Sequence, residues 1–197
     1  VIGGRGRVLA VSAQGYQEVP LEAGAFVWFT PGTIHRLVND SGDLEILVIM
    51  ANAGLPEAGD MVLTFPDEVL AEPARYRQAA VLPADASLTD ADDAAVRARK
   101  DLAVAGMEEL VAGGPAALAR FHQRAAALAA PLAASWQPLW SSGARAAALA
   151  TGEQLAALEA GNPDHLGRAS IHALPPPPEV RRYGCCGTLG VMQPATD

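Results

Sequence analysis

The sequence predicts a mainly β first third, folded as a small sandwich or barrel, followed by an α-helical segment and a short tail. Three observations predict it. Residues 1–66 hold short runs rich in Val, Ile, Phe and Trp, separated by Gly, Pro, Asn and Asp. From residue 84 to 160, 27 of 77 residues are alanine, the best helix former, and β-branched residues nearly vanish. Four consecutive prolines at 175–178 then make a stiff spacer before the tail.

The β elements follow in order. Residues 7–13, 26–29, 34–38 and 44–51 read as strands. Gly15, Pro20, Gly24, Pro31-Gly32 and Asn39-Asp40-Ser41-Gly42 supply the turns between them, and Gly3-Gly4-Arg5-Gly6 reads as a hairpin turn. Strands this short, with no crossover helices between them, pair antiparallel in a sandwich or barrel.

The helical elements come next. Residues 67–71 read as a short helix leading to a covering segment that ends at Pro83. Val96, Ala103, Met107 and Leu110 lie on one face of a first long helix, and Leu118, Phe121, Ala125, Leu128 and Leu132 form the apolar seam of a second. Gly113-Gly114-Pro115 separates the two, with Pro115 suited to a first helical position. Pro131 and Pro138 kink or end the second helix. Thr151 with Gln154 reads as a capping box opening a third that ends near Gly161. The resulting divisions are 1–83, 84–174 and 175–197.

Composition narrows the partners. Half the 197 residues are apolar and the mean hydropathy is +0.16, which excludes a disordered chain. Fourteen basic against 22 acidic side chains give a net charge of −8, so a phosphate backbone is repelled on average and no nucleic acid is expected. The richest apolar run, 46–51, is strand-sized, so no membrane partner is expected either. No leader pattern opens the sequence. The two cysteines, Cys185 and Cys186, are adjacent and make no disulfide framework, which fits a reduced, cytoplasmic setting.

One stretch carries chemistry. Residues 24–39 read Gly-Ala-Phe-Val-Trp-Phe-Thr-Pro-Gly-Thr-Ile-His-Arg-Leu-Val-Asn. Gly24 permits a tight entry, Pro31-Gly32 forces a bend, and His35 opens the next strand, a position from which an imidazole can serve as a metal ligand. Asn39 closes the strand with a side chain able to bond its own turn. This spacing of Gly24, Gly32, His35 and Asn39 resembles the second motif of the cupin superfamily, with Thr30 where the family usually has proline. Val1 to Val8 resemble the end of the family's first motif.

The resemblance implies a cupin-like barrel over 1–83, incomplete in this sequence, with a small-molecule pocket at its mouth lined by His35, Trp28, Phe26 and Tyr16. It implies a divalent metal (Fe, Mn, Zn or Ni) held in part by His35 in a full-length form, acting as Lewis acid or dioxygen activator. Many cupins dimerise through sheet edges, so it also implies a homodimer. The first motif's His-x-His and glutamate have no counterpart here: if Gly4 is that motif's closing glycine, they fall before Val1. One histidine does not hold a catalytic metal, which takes about three protein ligands.

Two functions therefore stand. One is a metal-dependent cupin enzyme of small-molecule metabolism, of oxygenase or isomerase type. The other is a non-catalytic module that binds a metabolite or a partner through a degenerate site. Elsewhere, His165 and His172 are seven apart but sit among Pro163, Gly167 and Pro175, which argues against a shared helix face. His122 reads as a helix-flank side chain, and Cys185-Cys186 as inert thiols.

Overall fold

The computed structural model describes residues 1–50, 55, 58–82, 94–176, 182–184, 187–190 and 192. Its elements in chain order are β1 (Arg5–Ser12), β2 (Gly15–Glu22), β3 (Ile34–Asn39), α1 (Asp67–Leu70), α2 (Pro73–Ala80), α3 (Ala94–Ala129), α4 (Ala133–Trp140), α5 (Ala146–Glu159), β4 (Arg182–Tyr183) and β5 (Thr188–Leu189). Helix outweighs strand. The chain divides into two compact units: residues 1–49, 62–130 and 182–188 form the first, and 50–61, 131–181 and 189–197 the second.

The sheet of the first unit corrects the barrel expectation. Three antiparallel strands pair in the order β2-β1-β3, and among the described residues the sheet stays open. The run 26–29 forms no strand, and 44–50 contributes only one bridge, Gly3 with Glu45; residue 51 lies outside the described residues. Both runs have strand composition, but that composition reports fitness for a half-buried pleated surface, and a strand exists only where a neighbour pairs with it. Closing a barrel further requires the outermost strands to pair with each other. Conversely, Gly15–Glu22 is a strand despite the turn residues Gly15 and Pro20, because an edge strand tolerates proline on its free side.

Residues 3–6 do not form a hairpin turn either: Arg5 and Gly6 already belong to β1. Gly6 is required there by contact, since a Cβ would stand 2.2 Å from the Val38 carbonyl oxygen.

Alternation along β1 gives the sheet two apolar faces. Val11, with Ile34 opposite it, packs against Phe65, Val69 and Leu70 and against Met107, Leu110, Leu118 and Phe121 of α3. On the other side Val8, Ala10 and Leu21 form a smaller cluster covered by Val1, Val27, Leu37 and Leu44. Two bonds fix the segment before α1 against its neighbours: the Thr64 hydroxyl donates to the Ala103 carbonyl at 2.9 Å, and the Leu63 N–H donates to the Tyr76 hydroxyl at 3.1 Å.

α3 is two helices joined at a break. Gly114 takes φ 58°, ψ −148°, and Pro115 opens the second part. Val96, Met107 and Leu110 before the break, and Leu118 and Phe121 after it, are buried. Gly106 lets the first part approach residues 64–65 closely: a Cβ there would lie 2.1 Å from the Thr64 carbonyl oxygen.

The second unit is helical and exposed. Pro131 lies in a 3-10 turn, Ala130–Leu132, and Pro138 inside α4 is followed by a π turn, Ser141–Arg145. A proline withdraws one N–H from the helical ladder, and the Ser142 hydroxyl donates to the Pro138 carbonyl at 2.9 Å. Thr151 caps nothing: it sits inside α5, its hydroxyl donating back to the Ala147 carbonyl at 3.0 Å.

By length and composition the helical stretch Ala94–Glu159 is apolar enough to cross a membrane, with one 18-residue window at mean hydropathy 1.3. Alanine with few charges reaches that value without any long aliphatic run, which is why the run lengths alone did not show it. Buried core helices pass the same test.

Candidate functional site

β3 positions the central residue. His35 pairs with Ala10 of β1, and Ala10 in turn pairs with Gln17 of β2, so the three share one cross-strand row on one face. Ala10 is buried in the middle of that row, between a partly buried imidazole and an exposed amide. The His35 Nδ1 lies 3.4 Å from the Thr33 carbonyl oxygen. A carbonyl only accepts, so Nδ1 is the donor in that weak bond, and Nε2 is the acceptor whenever the imidazole is neutral. Among the described residues Nε2 has no hydrogen-bond partner.

Phe29 lies on the imidazole, with ring centroids 4.3 Å apart and planes 18° from parallel. Phe26 and Trp28 do not. They are 81% and 76% exposed, and their rings lie 6.5 Å apart, tilted by 42°. Val27, between them, turns inward to the smaller cluster.

Tyr16 is on the other face of the sheet. It pairs with Val11, and its hydroxyl donates to the Glu18 carboxylate. This bond holds the Glu18 carboxyl below the usual carboxylate range and raises the Tyr16 phenol above its ordinary value. Arg7 joins the same cluster, bonded to Asp40 at 3.0 and 3.2 Å and to Glu18 at 3.2 Å. These bonds raise its own pKa, Asp40 contributing first. All of these charges are exposed, so they shape the surface more than they stabilise it.

The bend before β3 is held from two sides. Gly32 takes φ 88°, and the His122 Nε2 donates to its carbonyl at 3.0 Å. After β3 the Asn39 Oδ1 accepts from the Gly42 N–H at 2.8 Å and the Leu44 N–H at 3.1 Å. Residues 24–39 thus reach the sheet with their turn chemistry working as their types require.

The metal expectation is corrected for this chain. Among the described residues no three His, Cys, Asp or Glu side chains come together as a metal would need. His165 lies in a 3-10 turn, Asp164–Arg168, and His172 outside any helix, sharing a 2.7 Å hydrogen bond with Ser170, so the two do not share a helix face. Cys185 and Cys186 lie outside the described residues. A recess beside Phe65, Asp67 and Glu109 has about 40 Å³ of room, enough for water but not for a metabolite.

Neither Phe29 nor Gln17 stands out as a site residue in the sequence. The signal for Gln17 was absent, because its strand had not been read as one. No family model, no curated protein and no solved structure matches the chain.

Proposed function

We propose that this protein is a cupin-related, non-catalytic module that binds a small molecule on the sheet face around His35. The observation that supports the reading is the Phe29 ring stacked on His35 at 4.3 Å, in a cross-strand row that ends at the exposed Gln17. Such a face suits a ligand with a flat or apolar body and a hydrogen-bond donor. The donor meets the lone pair of Nε2, and Gln17 offers both a donor and an acceptor across the row. The sequence spacing of Gly24, Gly32, His35 and Asn39 supports the family part of the reading. The enzyme reading needs a metal with further ligands, and His35 has no such companions among the described residues.

Thermal-shift screening of metabolites against the wild-type chain, His35→Ala and Gln17→Ala tests the proposal. A ligand at 100 times its Kd stabilises the folded chain by about 2.7 kcal/mol, and His35→Ala should abolish that shift. A metabolite shift that persists in His35→Ala sinks the reading. A shift given by a divalent metal alone and lost in His35→Ala replaces it with the metal-dependent one.

A further inference from the structure

We infer that His122 is the positioning residue of the His35 face, holding the bend that sets Phe29 against the imidazole. The inference deepens the ligand reading and rests on it for the value of that face, but it places a requirement on a helix the reading does not use. The bend is a turn over residues 30–33, closed where the Thr33 N–H donates to the Thr30 carbonyl at 3.2 Å. Phe29 leads into it, and His35 follows two residues after it. Gly32 takes φ 88° there, a conformation open to glycine and strained for other residues.

One peptide unit carries the grip. The Gly32 carbonyl and the Thr33 N–H belong to the same planar amide, so bonds at both of its ends fix its orientation. The N–H is held within the turn, and the carbonyl accepts from the His122 Nε2 at 3.0 Å. Next in the chain comes the Thr33 carbonyl, 3.4 Å from the His35 Nδ1. Turning the Gly32–Thr33 amide displaces the chain on both sides of it, and with it the stack of Phe29 on His35 at 4.3 Å.

The other end of the grip is anchored in the core. His122 follows Phe121 in the second part of α3, and Phe121 is 5% exposed, in one cluster with Leu118, Val11 and Ile34. Ile34 is the residue before His35. One turn of helix thus meets β3 through Phe121 and the bend before β3 through His122. The His122 ring stands edge-on to Phe121, with centroids 6.3 Å apart, and is itself exposed. Burial therefore does not account for its place, and the hydrogen bond to Gly32 does.

The test compares His122→Gln, His122→Glu and His122→Ala in the whole chain with no ligand added. Glutamine carries an N–H as many bonds from the backbone as Nε2, whereas ionised glutamate has the same length and only accepts. Carbon-edited NMR reads the His35 ring protons, which the Phe29 ring shields, with Phe29→Ala giving the unstacked position. His122→Gln should keep the wild-type position, and His122→Glu and His122→Ala should move towards the unstacked one. Exchange of the Thr33 amide should quicken about fivefold in those two, as the loss of one neutral hydrogen bond implies, while the β1 amides stay unchanged. Wild-type ring positions in His122→Glu and His122→Ala overturn the inference. So does a His122→Gln variant that behaves like His122→Ala, because the packing of the imidazole would then be what matters. Equal loss of protection in β1 overturns it too, because His122 would then hold the fold and not the bend. A metabolite screen without a hit counts against the ligand reading and leaves all of these signals where they are.

Discussion

Phe29 lies nearly parallel to the His35 imidazole, 4.3 Å between centroids, and so is the one aromatic ring among the described residues that stacks on it. Phe29→Ala should lower stability by about 1 kcal/mol beyond the loss of buried area, a typical worth for an aromatic pair. Urea unfolding followed by circular dichroism checks this. Trp28→Ala serves as the contrast: that ring is 76% exposed, and its loss should change the midpoint little.

Asn39 should matter for the turn that follows it rather than for the strand it ends. Its Oδ1 accepts two N–H bonds, from Gly42 and Leu44, so Asn39→Ala should cost about 1 kcal/mol. Amide exchange at those two positions should speed up while exchange within β1 stays unchanged. Asn39→Asp, which keeps the acceptor, should preserve protection.

Adding a methyl group should have opposite signs at two helical glycines. Gly106→Ala improves helix propensity, yet its Cβ would sit 2.1 Å from the Thr64 carbonyl oxygen and 2.4 Å from the Phe65 carbonyl carbon. We expect it to destabilise by roughly 1–3 kcal/mol, as overpacking does. Gly152→Ala in α5 meets nothing within 4 Å and should stabilise by up to about 1 kcal/mol. Thermal unfolding of both variants reads the two signs.

The Tyr16–Glu18 bond sets two pH windows. The Tyr16 phenol titrates above its ordinary 10.0, so the stability it adds is complete below that pH and is lost as pH rises through the folded value. The Glu18 carboxyl titrates below its ordinary 4.5, so its contribution is present above that pH and is lost as pH falls through the folded value. Glu18→Gln should move the Tyr16 ionisation back down, seen in the ultraviolet titration after the signals of Tyr76 and Tyr183 are assigned. Tyr16→Phe should move the Glu18 titration up, seen by NMR.

Much of the local chemistry was legible in the sequence. Pro31-Gly32 bends the chain, Asn39 bonds its own turn, and Gly114-Pro115 breaks a helix where the residue types say it should. What could not be read was pairing. Residues 26–29 and 44–50 look like strands and are not, while Gly15–Glu22 looks like a turn and is an edge strand. Hydrogen-bond partners in a sheet lie far apart in sequence, so composition reports only what a segment tolerates. The stacking of Phe29 on His35 was hidden for the same reason: residues 26–29 read as a strand, and the segment is not one.

Arg99 gives the first unit an unusual closure. Its guanidinium donates to the Gly184 carbonyl at 2.9 Å and to the Ala80 carbonyl at 3.4 Å, so residues 182–188 return to the unit that the chain left after residue 130. A protease nick anywhere between residues 131 and 176 would therefore leave Arg99 and Gly184 on separate fragments that this hydrogen bond still links.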